Sequence, residues 1–518
     1  MNSTRHLEAR SQHPTAAAAR ALSPDRSPDP DDRARLRWWA LAALALAQFL
    51  VVLDASIVNI AIPSLGADLG LDQGALAWVI TAYVLPFGSL LLLGGRLADR
   101  FGHRNVFLIG TIGFVAASIA AGLAPDGTWL LAARAVQGAS AALLAPASLA
   151  LVTRLFTTTA DRAKALGIWG AVAGAGSAAG VLAGGLLTGA FGWEAVFFVN
   201  APIGAIVLVA IPFLVARDRR GEKGTLDLPG AATVTGGLVA LVAGLSNAEA
   251  LGFGHPLVIV LLVAGVALLA AFVAIERRTA SPLVPLELFR NRAVTAGNVV
   301  MLLTGAAMVA LFFALSVFLQ EQLGFDALAA GLSQLPLAGA LVIVAGLVPT
   351  AVARLGIRPV LTVSLLVLAG GLGWLAVAPA NADFPVHVLG PSLAIGIGLG
   401  GAFVTATQLA VDGVDGGEAG LAGGLVNTSQ QIGGALGLAV LASISGAISA
   451  ALTDSGASVG VAAAGGFRAV FIGAGVAAVL AAVATVTIRR RATAAAPARA
   501  SRGIPAARID EGAAVPSR

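Results

Sequence analysis

The sequence predicts an all-α polytopic membrane protein of fourteen transmembrane helices, and three observations carry that prediction. The first is composition: of 518 residues, 58% are hydrophobic and only 11% charged, with a mean hydropathy of +0.89. A soluble globular domain carries about 25% charged residues, so the chain falls outside that class. The second is block length. The apolar runs approach the ~20 residues that one helix needs to cross a bilayer, whereas barrel strands would alternate over about 10. The third is where the positive charge falls. Of the 32 Lys and Arg, 30 lie before the first span, in alternate loops, or after the last span. The others are Arg134, inside a span, and Arg468, at the outer mouth of the last. Opposite loops such as "APDG" and "APANADF" carry none. This is the positive-inside pattern, with both termini cytoplasmic.

In chain order, residues 1–37 are a basic, Arg-, Pro- and Ala-rich segment expected to be disordered. Its first 36 residues hold no apolar run of the kind a cleavable leader requires, so none is expected. Spans at 38–63, 75–94, 105–124, 129–152, 165–190 and 195–216 make a first six-helix bundle, 38–216. Trp38 and Trp39 beside Arg37 mark its inner interface, and Trp78, Trp129 and Trp193 mark outer starts of spans. Residues 217–292 carry two inserted spans, 228–247 and 255–275, with basic flanking loops. The second six-helix bundle, 293–488, holds spans at 293–320, 327–350, 359–378, 386–410, 419–448 and 469–488. Residues 489–518 form a second basic tail expected to be disordered. Such tails suit topology and anionic lipid better than nucleic acid. "RFGHRNV" at 100–106 returns as "RLGIRPV" at 354–360, after the second helix of each bundle, which points to duplication.

The window "GGRLADRFGHRN" sets Arg96, Asp99, Arg100, His103 and Arg104 between two apolar runs. Its core, Gly95 to Arg104, resembles the signature loop between helices 2 and 3 of the major facilitator superfamily, with His103 where Arg or Lys is usual. Gly95 and Gly102 suit a tight turn and close backbone approach. The resemblance implies a cytoplasmic latch of Gly95, Arg96, Asp99, Arg100, Gly102 and Arg104. In it, Asp99 accepts from a facing helix and stabilises the outward-open state. Without the resemblance, the same residues read as a solvated basic loop.

Further matches follow in order. "LVVLDASIVNIAIPSL", carrying Asp54, is similar to the first-helix motif of the fourteen-helix drug/proton antiporter branch. "LLAARAVQGASAALLAP", with Arg134, Gln137 and Gly138, resembles the fourth-helix motif of proton-coupled members. Gly167, Gly176, Gly180 and Gly184 match the fifth-helix antiporter motif, but Val181 replaces its proline and removes the reason for a proline kink there. "FGWEAVFFVNAPIG" resembles the start of helix 6, with Glu194 where the family has Arg. "PLVPLELFRNR", "QEQLGFDALAAGLSQLP" and "AGLAGGLVNTSQQIGGALG" resemble later marks of the same branch. The resemblance covers about residues 38–488. It implies two six-helix bundles plus two extra central helices, and alternating access.

Asp54 and Arg134 are the only charged residues inside the proposed spans. Charge at that depth is costly and marks function by default. At 1.5 Å per residue, Asp54 lies about 13 Å inward of Pro63, and Arg134 about 7 Å inward of Trp129. A long guanidinium spans that difference, so the two are expected to pair, directly or through water. Burial raises a carboxyl pKa and a nearby cation lowers it, so the pair suits proton coupling in which proton and substrate exclude each other. The other reading is a structural ion pair that fixes packing. Gln137, Gln334, Asn427 and Gln431, with Thr428 and Gln430, are candidate polar groups of a substrate cavity, or interhelical hydrogen-bonding groups.

Enzyme chemistry finds no support. The chain has no cysteine, and Lys164 and Lys223 follow Ala163 and Glu222, so no G-K-[ST] phosphate loop exists. "GIGLGG", with Gly396, Gly398 and Gly401, lies in an apolar span with no preceding strand and reads as helix packing. The expected protein is therefore a transporter without cofactor, metal, ATP or nucleic acid. It exports amphipathic or lipophilic small molecules, cationic ones included, against protons across a bacterial cell membrane, as a monomer. An uptake symporter and a non-transporting membrane sensor or scaffold remain as alternatives.

Overall fold

The computed structural model describes residues 30–216, 227–280, 282–379, 382–411 and 419–487, and all of its long elements are helices. The first bundle comprises α1 (Pro30–Leu69), α2 (Gln73–Phe101), α3 (His103–Gly122), α4 (Gly127–Leu155), α5 (Thr159–Phe191) and α6 (Ala195–Leu214), the last stepped at Val199. The inserted pair is α7 (Leu228–Leu251) and α8 (Pro256–Glu276). The second bundle comprises α9 (Arg292–Val317), α10 (Ala327–Leu355), α11 (Ile357–Ala376), α12 (Gly390–Val411), α13 (Ala419–Asp454) and α14 (Val459–Thr487). Among the described residues, thirteen are long and apolar enough to cross a membrane. The fourteenth, α5, is a 33-residue helix whose described apolar stretch is the shorter Ala175–Phe191.

Several helices outrun their apolar blocks. α1 starts at Pro30, so residues 30–37 are helical rather than part of a disordered tail; residues 1–29 and 488–518 lie outside the described residues. The sparse acids of the uncharged-looking loops are used as caps: Asp72, Asp126 and Asp326 accept from the backbone N–H of Ala75, Trp129 and Ala329. π turns at Phe318–Gln322 and Phe384–Leu389 end α9 and precede α12. Apolar periodicity does not signal them.

The two bundles repeat one packing scheme. α1 packs on α5 and α6, α2 on α4, and α3 on α4 and α6. The same scheme returns as α9 with α13 and α14, α10 with α12, and α11 with α12 and α14. Between bundles, α2 meets α13 and α5 meets α10, again as equivalent pairs. The sequence echo has a geometric counterpart, since Gly102 (φ 92°) and Gly356 (φ 86°) turn the chain between the second and third helices of each bundle. Positive φ is strained for any residue with a Cβ, which explains the glycine in both copies.

The turns at Gly102 and Gly356 define one end of the molecule, called here the basic end; the opposite end, with Trp129 and Trp193, is the far end. α7 leans on both α2 and α13, with Ser443 donating to the Leu245 carbonyl at 2.9 Å, whereas α8 packs chiefly on α7 and is largely exposed.

Lipid supplies no hydrophobic force between helices, so close contact relies on small residues. A Cβ at Gly433 would overlap the Leu302 carbonyl of α9, while one at Gly370 would meet nothing within 4 Å. Gly433→Val is therefore expected to destabilise the fold by about 1–3 kcal/mol. A lower melting temperature in detergent than that of Gly370→Ala checks this.

Candidate functional site

Asp54 sits mid-way along α1 with 0% exposure, and three side-chain donors converge on it. Arg134 Nη1 of α4 donates to Oδ2 at 2.6 Å. Gln137 Nε2, one turn along the same helix, and Asn200 Nδ2 of α6 both donate to Oδ1 at 2.7 Å. A carboxylate accepting several donors in a dry interior is satisfied as an ion; fewer donors would leave it costly. Direct pairing, not a water bridge, joins Asp54 to Arg134.

Arg134 is itself held on every side. Its Nη1 also donates to Gln137 Oε1 at 2.7 Å, and its Nε to the Val79 carbonyl at 3.2 Å. The guanidinium carbon lies 4.3 Å from the Tyr83 ring centroid and 5.8 Å from that of Phe197, a cation–π setting for a buried cation. Ser118 of α3 accepts from Gln137 at 2.6 Å and from Asn200 at 3.2 Å. Five helices, α1, α2, α3, α4 and α6, therefore meet at this one carboxylate and its partner.

Local sequence explains the meeting. Arg134 and Gln137 are three apart on α4 and share a face. Gly138 follows them, and a Cβ there would overlap the Tyr83 carbonyl, so its absence lets α4 approach α2 closely enough for the guanidinium to reach Val79. On the other side of α1, Gly176, Gly180 and Gly184 bring α5 against Phe49, Leu53, Ser56, Ile57 and Ile60. Gly167 falls outside the residues whose surroundings are described. Val181, standing where the family motif has proline, lies in an unbroken α5 and packs with Ile60 and Ala327.

Other sequence-picked residues lie apart from this network. Gln334 is buried on α10 and donates weakly, at 3.5 Å, to Ala330 of its own helix. Asn427 and Gln431 are half-buried on α13, where the Gln431 Cβ faces Gly88 of α2 at the seam between bundles. Thr428 and Gln430 are buried beside them. Asp54 takes its hydrogen bonds from Arg134, Gln137 and Asn200 instead.

At the basic end, Arg96 Nη2 donates to the Pro282 carbonyl at 3.0 Å and Arg104 Nη2 to the Pro212 carbonyl at 3.1 Å. Asp99 is exposed and pairs with His103 Nε2 at 3.2 Å, one turn on, so the residue that departs from the family pattern supplies the partner. Arg100 lies against the Phe101 ring at 5.4 Å, Gly102 makes the turn, and Gly95 lies near Pro146 of α4.

Sequence reading missed Asn200, Ser118 and Tyr83. Tyr83, the only tyrosine in the chain, was a visible signal; Asn200 and Ser118 are polar groups in spans with nothing in the sequence to mark their partners.

Removing one partner of a buried pair costs more than removing both. Arg134→Met is expected to cost about 3–5 kcal/mol. The double change Asp54→Asn/Arg134→Met is expected to recover most of the lost melting temperature in a detergent unfolding assay.

The comparisons with known proteins agree with this architecture. A profile described as Major Facilitator Superfamily matches residues 44–438. The puromycin resistance protein pur8 of Streptomyces alboniger is 44% identical over 438 residues, 83% of this chain and 85% of that protein. The cephamycin export protein CmcT of Amycolatopsis lactamdurans is 41% identical, over 79% of this chain and 85% of that one. A solved bacterial homolog of the human lysosomal transporter Spinster, inward-facing and unoccupied, aligns with TM-score 0.65 at 17% identity, covering 87% and 96% of the two chains. An auto-inhibited POT family peptide transporter aligns with TM-score 0.66 at 16% identity, covering 88% and 98%. At that identity these two structures speak for the fold alone.

Proposed function

This chain belongs to the Major Facilitator Superfamily, and from that premise we propose that it is a proton-coupled antiporter that exports amphipathic or lipophilic antibiotics. The observation that carries the reading is the caged, fully buried Asp54–Arg134 pair. Relatives named for antibiotic resistance or export supply the substrate class.

The chemistry follows from the cage. As an ion, Asp54 accepts from Arg134, Gln137 and Asn200. A proton on Asp54 turns one acceptor into a donor, displaces at least one of those partners and removes the counter-charge of Arg134. The protonated and ionised sites therefore favour different packings of α1 against α4 and α6. Such a two-state element is what coupling requires, because a ligand shifts a conformational equilibrium only through its differential affinity for the states. A cationic cargo that drew the carboxylate would favour proton loss, and a proton would favour cargo release. Neutral cargo needs only to prefer one of the two packings.

Sidedness follows from charge. The basic end faces the cytoplasm and both termini are cytoplasmic, in the cell membrane of a bacterium. Contacts between α1 and α9, and between α5 and α10, close the far end, which supports an inward-facing state in which Asp99 of the latch pairs locally with His103 across the Gly102 turn. The two bundles then exchange access by rocking as units, and a single chain suffices.

Everted vesicles with an acid interior test the proposal. Adding a lipophilic antibiotic should release protons with the wild type and at least tenfold less with Asp54→Asn. Full release by Asp54→Asn would overturn the assignment of coupling to Asp54. Proton movement in the same direction as cargo would mark a symporter instead.

A further inference from the structure

Two side chains, one on α9 and one on the π turn that ends it, reach across the bundle interface to the backbone of α1. Ser316 Oγ donates to the Asn59 carbonyl at 2.6 Å, and Gln320 Nε2 donates to the Ile60 carbonyl at 3.0 Å. Gln320 Nε2 also lies 3.1 Å from Ser316 Oγ, which leaves that hydroxyl free to accept from the amide while it donates to Asn59. Ser316 and Ile60 are fully buried and Asn59 is 9% exposed, so water does not compete.

The acceptor is unusual for a helix interior. In a continuous α-helix the carbonyl of residue 59 takes the N–H of residue 63, but residue 63 is proline and has none. The Asn59 side chain cannot fill the vacancy, since its amide donates the other way, to the Ala55 carbonyl at 2.9 Å. A buried carbonyl without a donor is costly, so Pro63 leaves α1 with an acceptor that must be met from outside the helix. α9 meets it, and the π turn Phe318–Gln322 carries the second donor.

The neighbourhood is a closure. Ile60 of α1, Val181 of α5 and Ala327 of α10 form one buried apolar cluster. Beside it Gly185 approaches Ala327, and Gly331 approaches the Val181 carbonyl. α1 and α5 belong to the first bundle, α9 and α10 to the second.

We infer that Ser316, donating to the Asn59 carbonyl freed by Pro63, and Gln320, donating to the adjacent Ile60 carbonyl, form a hydrogen-bonded clasp that holds the far end of the two bundles shut. The inference rests on the alternating-access reading only in requiring that this end also opens.

The chain has no cysteine of its own, so Ala67→Cys and Glu321→Cys, at exposed positions near the ends of α1 and α9, accept spin labels cleanly. Distances by pulsed electron paramagnetic resonance in lipid nanodiscs then report the far end directly. Ser316→Ala should raise the ratio of the long-distance to the short-distance population about fivefold, the worth of one ordinary buried hydrogen bond. Gln320→Ala should act in the same direction, and Ser316→Thr, which keeps the hydroxyl, should match the wild type. Pro63→Ala restores the internal donor, so it should open the far end as Ser316→Ala does. Combining those two should add little to either alone.

Unchanged distances in Ser316→Ala and Gln320→Ala overturn the clasp. So does strict additivity of Pro63→Ala with Ser316→Ala. If Pro63→Ala does not fold, the contrast between Ser316→Ala and Ser316→Thr decides. The readout involves no transport, so an intact clasp in a protein lacking proton-driven flux would count against the proposed function and not against the clasp.

Discussion

A carboxyl paired with a guanidinium and without solvent exposure, set in a bundle that lipid surrounds, is the constraint on which the first half of this protein depends. Asp54 is met on both oxygens, by Arg134 and Gln137 of α4 and again by Asn200 of α6. Arg134 must come from α4, Asn200 from α6, and the carbonyl that steadies Arg134 from α2. Each approach is made possible by small residues: Gly138 lets α4 close on α2, and the Gly176–Gly180–Gly184 row lets α5 close behind α1. The polar network thus fixes which faces turn inward, and the glycines fix how near they come. Hydrophobicity alone, nearly equal on all faces of these helices, would leave both undetermined.

The second bundle repeats the packing but not the chemistry. α9 meets α13 and α14 as α1 meets α5 and α6, and Gly356 turns the chain as Gly102 does. No charged pair stands in α9 and α12 where Asp54 and Arg134 stand in α1 and α4. The polar side chains of the second bundle go instead to its own helices or to the seam, as Gln334 and Gln431 do. The scaffold recurs, while the buried charged pair stands in one bundle.

That division explains what could be read before any coordinates. Spans and the two-bundle plan were legible because apolar length and the breaks between apolar blocks act along the chain, and each is local. Asp54 and Arg134 were legible because charge within a span is rare. Their pairing was legible because both lie in the same half of the membrane depth. Asn200 and Ser118 were not singled out, since an amide or hydroxyl in a span has many fates and only the fold says which one it meets. The step in α6, the π turns and the π-turn position of Gln320 have no periodic signature at all. Helix ends were also longer than apolar length suggested, because α1 continues back into the basic segment to Pro30.

The mutual neutralisation of Asp54 and Arg134 also has an electrical meaning. These are the only charged residues within the proposed spans, and as an ion pair they sum to zero. The protein therefore adds no gating charge of its own there. In the proposed antiport cycle, voltage would act through the passengers. One proton exchanged for one monovalent cation moves no net charge, and such a cycle feels the pH gradient alone. One proton exchanged for a neutral molecule moves one elementary charge, worth about 2.3 kcal/mol for each 100 mV. The same scaffold would then be silent to membrane potential for one class of cargo and driven by it for another.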